Sequence, residues 1–191
     1  MVMADMAGIV MKLPNREATM SASREEVTVY VGASPQQVFA HLDDPTRLGR
    51  HMAKPSAMML GGSMTYEIDE RGGREIGSVI RMEGAMLGVR LAVEEVVTER
   101  IPPRRKVWET RGPQQMLVIE SYRMGFDIKP DGAGARATIF IDYVPSQKGI
   151  ARLLGALFGP IYARWCVRRM AQDVQAHFKN ASSLEIGTST K

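Results

Sequence analysis

Apolar and polar side chains alternate from Val27 to Val31, with Val27, Val29 and Val31 set against Thr28 and Tyr30. That is the period of a strand with one buried face. Gly32-Ala33 ends it. Ser34 is suited to cap a helix, because its hydroxyl can accept from an exposed backbone N–H, and Pro35 suits the first helical position. Val38, Phe39 and Leu42 then share one side of that helix. Asp43-Asp44-Pro45 closes it, since the residue before proline resists helical geometry. A second short helix starts at Pro45 or Thr46 and carries Leu48.

The next hundred residues predict an antiparallel meander. Ser63–Glu70 places Met64, Tyr66 and Ile68 on one face, and Arg71-Gly72-Gly73 supplies a turn that tolerates positive φ. Ile76–Glu83 places Ile76, Ser78, Ile80 and Met82 together, with Gly84 and Gly88 flanking the following turn. Val89–Thr98 continues with Val89, Leu91 and Val93, and the adjacent Glu94-Glu95 breaks the alternation as a bulge would. Ile101-Pro102-Pro103 marks a loop, because proline cannot donate to a ladder. Lys106–Thr110 is a short strand bearing Trp108. Met116–Ile128 is the longest, with Met116, Val118, Glu120, Tyr122, Met124, Phe126 and Ile128 on its even positions. Pro130-Asp131-Gly132 turns the chain into a last strand, Ala135–Val144, for a total of seven.

From about Gln147 to Phe178 the period becomes helical. Ile150, Leu154, Leu157, Ile161, Trp165 and Arg168 track one stripe, widened by Leu153, Phe158, Tyr162, Cys166, Met170, Val174 and His177. Some thirty residues of helix span roughly 45 Å. Gly159-Pro160 is expected to kink or interrupt it, and the chain from Asn180 is polar and expected to fray. Gly155 and Gly159, one turn apart, permit either close packing or a hinge. The Leu157-Phe158-Gly159-Pro160 region is expected to pack on the sheet; the competing placement is on a membrane surface, with Arg164, Arg168 and Arg169 beside it.

This order of elements, carried by VTVYVGASPQQVFAHLDDPTRLGRHM, the glycine-punctuated strands and GALFGPIYARWCVRRMAQDVQAHF, resembles the START-like (SRPBCC, Bet v 1-type) helix-grip superfamily over roughly residues 25–182. Within it the chain is most similar to the bacterial polyketide cyclase/dehydrase and lipid-transport group. The Ser-Pro-x-x-Val-Phe helix and the Asp-Pro turn are the most similar pieces. The resemblance implies an α+β helix-grip fold: a curved seven-stranded antiparallel sheet wrapped around a long C-terminal helix, with two short helices between strands 1 and 2. It also implies an apolar cavity, and hence a lipophilic ligand, between sheet and helix. Members include lipid carriers, hormone and flavonoid binders, aromatase/cyclases, co-chaperones and ribosome- or quinone-associated proteins. A tryptophan often follows the second helix in such proteins; Arg50-His51-Met52 stands there in this chain.

Size and composition fit this picture. The 191 residues, 45% hydrophobic and 24% charged, suit one domain at 25–182 with flexible tails at 1–24 and 183–191. No run of eighteen apolar residues exists to span a membrane. The opening has only a brief apolar run, Met6–Met11, broken by Lys12 and Pro14, and reads as a tail rather than a secretory signal; Met1 and Met20 are both possible starts. A lone cysteine, Cys166, excludes an internal disulfide and suits a reducing cytoplasm. The net charge of +4 is modest. Arg104-Arg105-Lys106 and the arginines at 164, 168 and 169 read as a solvated turn and a solvated helix face, with an anionic partner as the competing reading. No nucleic-acid motif accompanies them.

Candidate chemistry is sparse. His41, His51 and His177 have no partner at ligand-like spacing, and no metal, nucleophile-elbow or phosphate-loop motif occurs, so neither metal nor cofactor is expected. Glu120 and Tyr122 are the candidate acid/base pair. A carboxyl in an apolar cup has a raised pKa, and a tyrosine can donate to a substrate carbonyl. The opposing reading has a bulge turning Glu120 to solvent, or Arg90 or Arg123 neutralising it. The expected cavity wall is Tyr66, Ile80, Leu91, Trp108, Val118, Glu120, Tyr122, Met124, Leu157, Ile161, Tyr162 and Trp165, with Met64, Met82, Met116, Met124 and Met170 giving an adaptable lining. The favoured function is binding or transport of a small hydrophobic molecule such as a lipid, polyketide or quinone. The alternatives are a metal-free polyketide cyclase/dehydrase-like enzyme and a module docking on a membrane or protein.

Overall fold

A computed structural model of the chain describes residues 22–48, 63–86, 89–112, 114–147 and 149–188. The strands are β1 Ser23–Val31, β2 Ser63–Ile68, β3 Val79–Met86, β4 Val89–Ile101, β5 Arg105–Thr110, β6 Ile119–Asp131 and β7 Gly134–Pro145. The helices are α1 Pro35–Leu42, α2 Pro45–Leu48 and α3 Gly149–Thr188. The strands form one curved antiparallel sheet in the order β1-β7-β6-β5-β4-β3-β2, so the first strand closes against the last. This is the helix-grip architecture expected from the sequence.

The local signals at the start of the chain act as their chemistry dictates. Ser34 caps α1: its hydroxyl accepts from the Gln37 N–H at 3.4 Å, and the Gln37 side chain accepts from the Ser34 N–H at 3.0 Å. This reciprocal pair satisfies two otherwise orphaned donors and contributes about 1 kcal/mol. Val38, Phe39 and Leu42 are buried, and the Phe39 ring meets Phe126 of β6 edge-on at 5.5 Å. Each such burial stabilises the fold by roughly 1.5–3 kcal/mol. At the β2–β3 turn Gly72 and Gly73 both take φ of 66°, a conformation strained for other residues.

Several boundaries differ from expectation. β1 begins at Ser23, because Ser23 and Arg24 pair with Tyr143 and Asp142 of β7; residues 1–21 of the expected N-terminal tail lie outside the described residues. Ile76 is exposed in the β2–β3 connection rather than in a strand. Gly84 sits inside β3, opposite Leu91, rather than at its end, and Gly88 lies outside the described residues. Met116–Val118 precede β6 instead of belonging to it. Helix α3 passes through Pro160 uninterrupted, and the tail expected from 183 is helical backbone to Thr188. Continuity is possible because proline removes a single i→i−4 bond, a cost that packing along the rest of the helix offsets.

α3 packs mainly on β1 and β7 and touches α1. That placement divides the apolar interior. The main core joins α1, the C-terminal part of α3 and β5–β7. A second cluster, Met64, Ile80, Met82, Leu91 and Val93, belongs to the β2–β4 wing. Between the two lies an apolar cavity.

Candidate ligand cavity

The inner face of the β2–β4 wing, the inner side chains of β5 and β6 and one side of α3 enclose a cavity of about 120 Å³. Of the residues expected on its wall, Tyr66, Ile80, Leu91 and Trp108 line it from strands β2 to β5. Val118, Tyr122 and Met124 line it from the β6 region, and Tyr162 from α3. Met64, Met82, Met116, Met124 and Met170 all contribute unbranched, polarisable surface to the same wall.

The other four lie elsewhere. Glu120 is exposed. The register of β6 against β7 shifts between Ile119 and Ser121, so one extra residue is accommodated and the side-chain alternation slips. Ile119 and Tyr122 therefore both face inward, and Glu120 faces out. Leu157 and Ile161 are 60% and 50% exposed on the outer side of α3. Trp165 is half-buried against the main core, its ring 6.0 Å from that of Tyr162, and is not on the wall.

The carboxyl that does face the cavity is Glu95. The inner face of β4 runs Leu91, Val93, Glu95, Val97 without a break, all buried. Glu94 points outward to Arg81 at 3.0 Å. The strand's irregularity comes later, between Val97 and Glu99. Thus Glu94-Glu95 is not a bulge, and Glu95 occupies an apolar position in an otherwise regular alternation. The i, i+2 spacing from Leu91 is the signal that identifies it.

Tyr122 of β6 donates its hydroxyl to Glu95 Oε1 across the intervening strand β5, and Trp108 on that strand adds a second side-chain hydrogen bond. Burial pushes the Glu95 pKa up to about 7, even though both hydrogen bonds and the field of Lys106 favour the ionised form. Burial likewise raises Tyr122 well above its ordinary value, reinforced by the neighbouring carboxylate. It raises Tyr66, beside Glu95, and Tyr162, which hydrogen-bonds Cys166. The Cys166 thiol is pushed up to about 12 for the same reason and stays protonated. Near neutral pH the cavity therefore presents one carboxyl that exchanges its proton, framed by tyrosines that do not.

A second buried polar group closes the cavity's edge. Lys106, expected in a solvated basic turn, points inward and is 2% exposed. Its ammonium lies 2.8 Å from Asp43 Oδ1 and donates to the carbonyls of Asp43 at 2.9 Å and Gly73 at 2.8 Å. Three N–H groups thus meet three acceptors. Arg100 also binds the Asp43 carboxylate, at 2.8 Å. The α1–α2 corner and the β2–β3 turn are tied to β5 by this knot. His41 and His177, which sequence spacing keeps apart, stack with ring centroids 4.3 Å apart where α1 meets α3. His51 and the Arg50-His51-Met52 site of the family tryptophan lie outside the described residues.

The profile of the family described as polyketide cyclase / dehydrase and lipid transport matches residues 24–181. The chain belongs to that family. Among solved structures, it is similar to the Zhui aromatase/cyclase from Streptomyces sp. R1128, with a TM-score of 0.62 and 14% identity over 83% of this chain and 94% of that one. It is also similar to TTHA0849 from Thermus thermophilus, with a TM-score of 0.61 and 16% identity over 84% and 99%. CV1439 from Chromobacterium violaceum gives 0.54 and 16% over 81% and 96%. At such identities these likenesses speak to fold. No curated protein sequence matches the chain. Membership of the family supports a hydrophobic ligand-binding or cyclase-like role.

Proposed function

We propose that this protein binds one small hydrophobic molecule in the cavity and orients it through Glu95 and Tyr122. The observation that carries this reading is a buried carboxyl, held by Tyr122 and Trp108 and by no cation at contact distance among the described residues, facing an apolar cavity. A buried ionisable group is costly to fold, and the apolar positions around it show that a hydrophobic side chain would fit the alternation. An accepting or donating ligand group at this point would add a partner from inside the cavity. Size narrows the choice. An apolar cavity of ~150 Å³ takes one benzene ring, so about 120 Å³ suits a single ring or one end of a longer molecule better than a whole lipid. The test is native mass spectrometry of the full chain followed by denaturing extraction, then titration of the extracted molecule into wild type and Glu95→Gln. Co-purification of an apolar molecule, bound at least tenfold more weakly by the variant, supports the reading. An empty protein that also fails to take up an apolar fluorescent dye overturns it.

The second reading is a metal-free cyclase- or dehydrase-like enzyme, and the titration of Glu95 near neutrality favours it. A carboxyl with a pKa of about 7 populates both the acid and the base at working pH, as proton transfer requires. Tyr122, kept neutral, would hold a carbonyl or the Glu95 carboxylate. Glu95, not Glu120, takes the acid/base role in this reading. Turnover of a cyclisable polyketide, abolished in Glu95→Gln with binding retained, is the expected result. A binding ligand that emerges chemically unchanged argues for carriage alone.

A further inference from the structure

The first half of α3 exposes an apolar stripe on the side away from the sheet. Leu153 is 72% exposed, Leu157 60%, Ile161 50%, Phe158 45% and Leu154 37%. Their spacing of three and four residues places them on one helical face. The opposite face carries Gly155, Gly159, Ala163 and Cys166, all buried. At Gly155 a Cβ would lie 2.8 Å from the Ser146 backbone nitrogen and 2.9 Å from the Val118 carbonyl. That close contact fixes the rotation of the helix, so the stripe has no route to the sheet. The expectation that the Leu-Phe-Gly-Pro region packs on the sheet is therefore corrected: its glycines do, and its large apolar side chains face outward.

The helix's own charges along this stretch are of one sign. From Gly149 to Gln172 the helix contains Arg152, Arg164, Arg168 and Arg169 and no acidic residue. Arg164 pairs with Glu25 at 2.9 Å and Arg169 approaches Asp173 at 3.7 Å. Arg168 continues the line of Leu157 and Ile161 and is exposed with no ion pair among the described residues, whereas Arg152, equally exposed, falls on the opposite side of the helix. Arg168 lies close enough to Glu25 to help hold its carboxyl below the ordinary range. An apolar stripe that runs into Arg164 and Arg168 along one helical face matches a surface that offers acyl chains behind negative headgroups.

We infer that the exposed face of α3, centred on Leu157 and Phe158 and continued along the same line by Arg168, docks on an anionic lipid surface. The helix lies in the plane of the interface rather than across it, since among the described residues no helix is long and apolar enough to cross a membrane. The inference stands independently of what the cavity binds.

Co-sedimentation of the full chain with phosphatidylcholine vesicles, with and without phosphatidylserine, tests it. Binding is expected only with phosphatidylserine, and it should weaken as salt is raised. The double variant Leu157→Ser/Phe158→Ser is expected to lose about tenfold or more of the partitioning. Arg168→Gln is expected to lose about fivefold together with part of the salt dependence. Because all three side chains are exposed, thermal melts of both variants should match wild type. Three outcomes overturn the inference: no sedimentation with anionic vesicles at low salt, sedimentation unaffected by either variant, or a concentration-dependent dimer that the Leu157→Ser/Phe158→Ser variant dissolves.

Discussion

The hydroxyl of Tyr122 on β6 donates to the carboxyl of Glu95 on β4, over the top of the strand between them. The bond lies where the main core meets the β2–β4 cluster, both of which Tyr122 packs against. It also places inside the cavity a carboxyl whose pKa burial raises, so the stability of the fold and the chemistry of the cavity meet at one side chain.

A carboxyl whose pKa rises from 4.5 unfolded to about 7 folded holds its proton longer in the native state. Between these values the native protein binds more protons than the unfolded chain, so stability falls as pH rises through that window. The total comes to about 3 kcal/mol. Wild type should accordingly lose about that much relative to Glu95→Gln between pH 4.5 and pH 8, in urea melts of ligand-free protein. Taking the difference from the variant removes the contribution of every other titrating group. Parallel curves for the two proteins would show that Glu95 titrates normally.

Tyr122→Phe deletes the hydroxyl that stabilises the ionised carboxylate. A hydrogen bond to a charged group contributes ~1.5–3 kcal/mol, which moves the titration of Glu95 upward by about 1–2 pH units. Carbon-13 NMR of the labelled Glu95 carboxyl measures this directly. An unmoved midpoint would mean that the phenol does not bind the ionised form.

The site is legible in the sequence where side chains follow strand period and illegible where register decides. Tyr66, Ile80, Leu91, Trp108 and Met124 sit in plain alternations, and their inward placement needs only the period of two. Glu95 obeys the same period, but two adjacent glutamates look like a break when the partner strands are unknown. Arg81 opposite Glu94 supplies the missing information. Glu120 departs from expectation for the converse reason: the shift at Ile119–Ser121 arises from pairing with β7, and nothing in the local composition marks it. Lys106 sits in a basic run, and its inward turn depends on Asp43 and Gly73, far away in the chain. The outward face of α3 is hidden because an apolar stripe looks alike whether it meets a sheet or a membrane; Gly155 and Gly159, which permit packing or a hinge, decide between them.

Lys106→Met leaves Asp43 buried with Arg100 as its remaining cation. Removing one member of a buried ion pair costs about 3–5 kcal/mol, and the surviving arginine places this case near the lower end. In a double-mutant cycle with Asp43→Asn, the double variant should lose less than the two single variants together, by about 0.5–3 kcal/mol. Strict additivity in urea denaturation would mean that the two groups do not act as a pair.

Two glycines one turn apart on α3 should respond in opposite ways to the same substitution. Alanine gains up to about 1 kcal/mol over glycine in a helix interior. At Gly155 that gain meets a Cβ placed 2.8 Å from the Ser146 nitrogen and 2.9 Å from the Val118 carbonyl, both backbone atoms that cannot rotate aside. Forcing such an overlap typically costs about 1–3 kcal/mol, so Gly155→Ala should destabilise despite its better propensity. At Gly159 the nearest atom is the Tyr143 ring at 3.4 Å, an ordinary contact. Because Gly159 precedes Pro160, part of the propensity gain is lost there, and Gly159→Ala should be close to neutral. Since Val118 lines the cavity, the strain at Gly155 should also weaken ligand or dye uptake, whereas Gly159→Ala should leave it unchanged. Equal melting temperatures and equal uptake for the two variants would mean that the helix is not seated on the Val118 and Ser146 backbone as described.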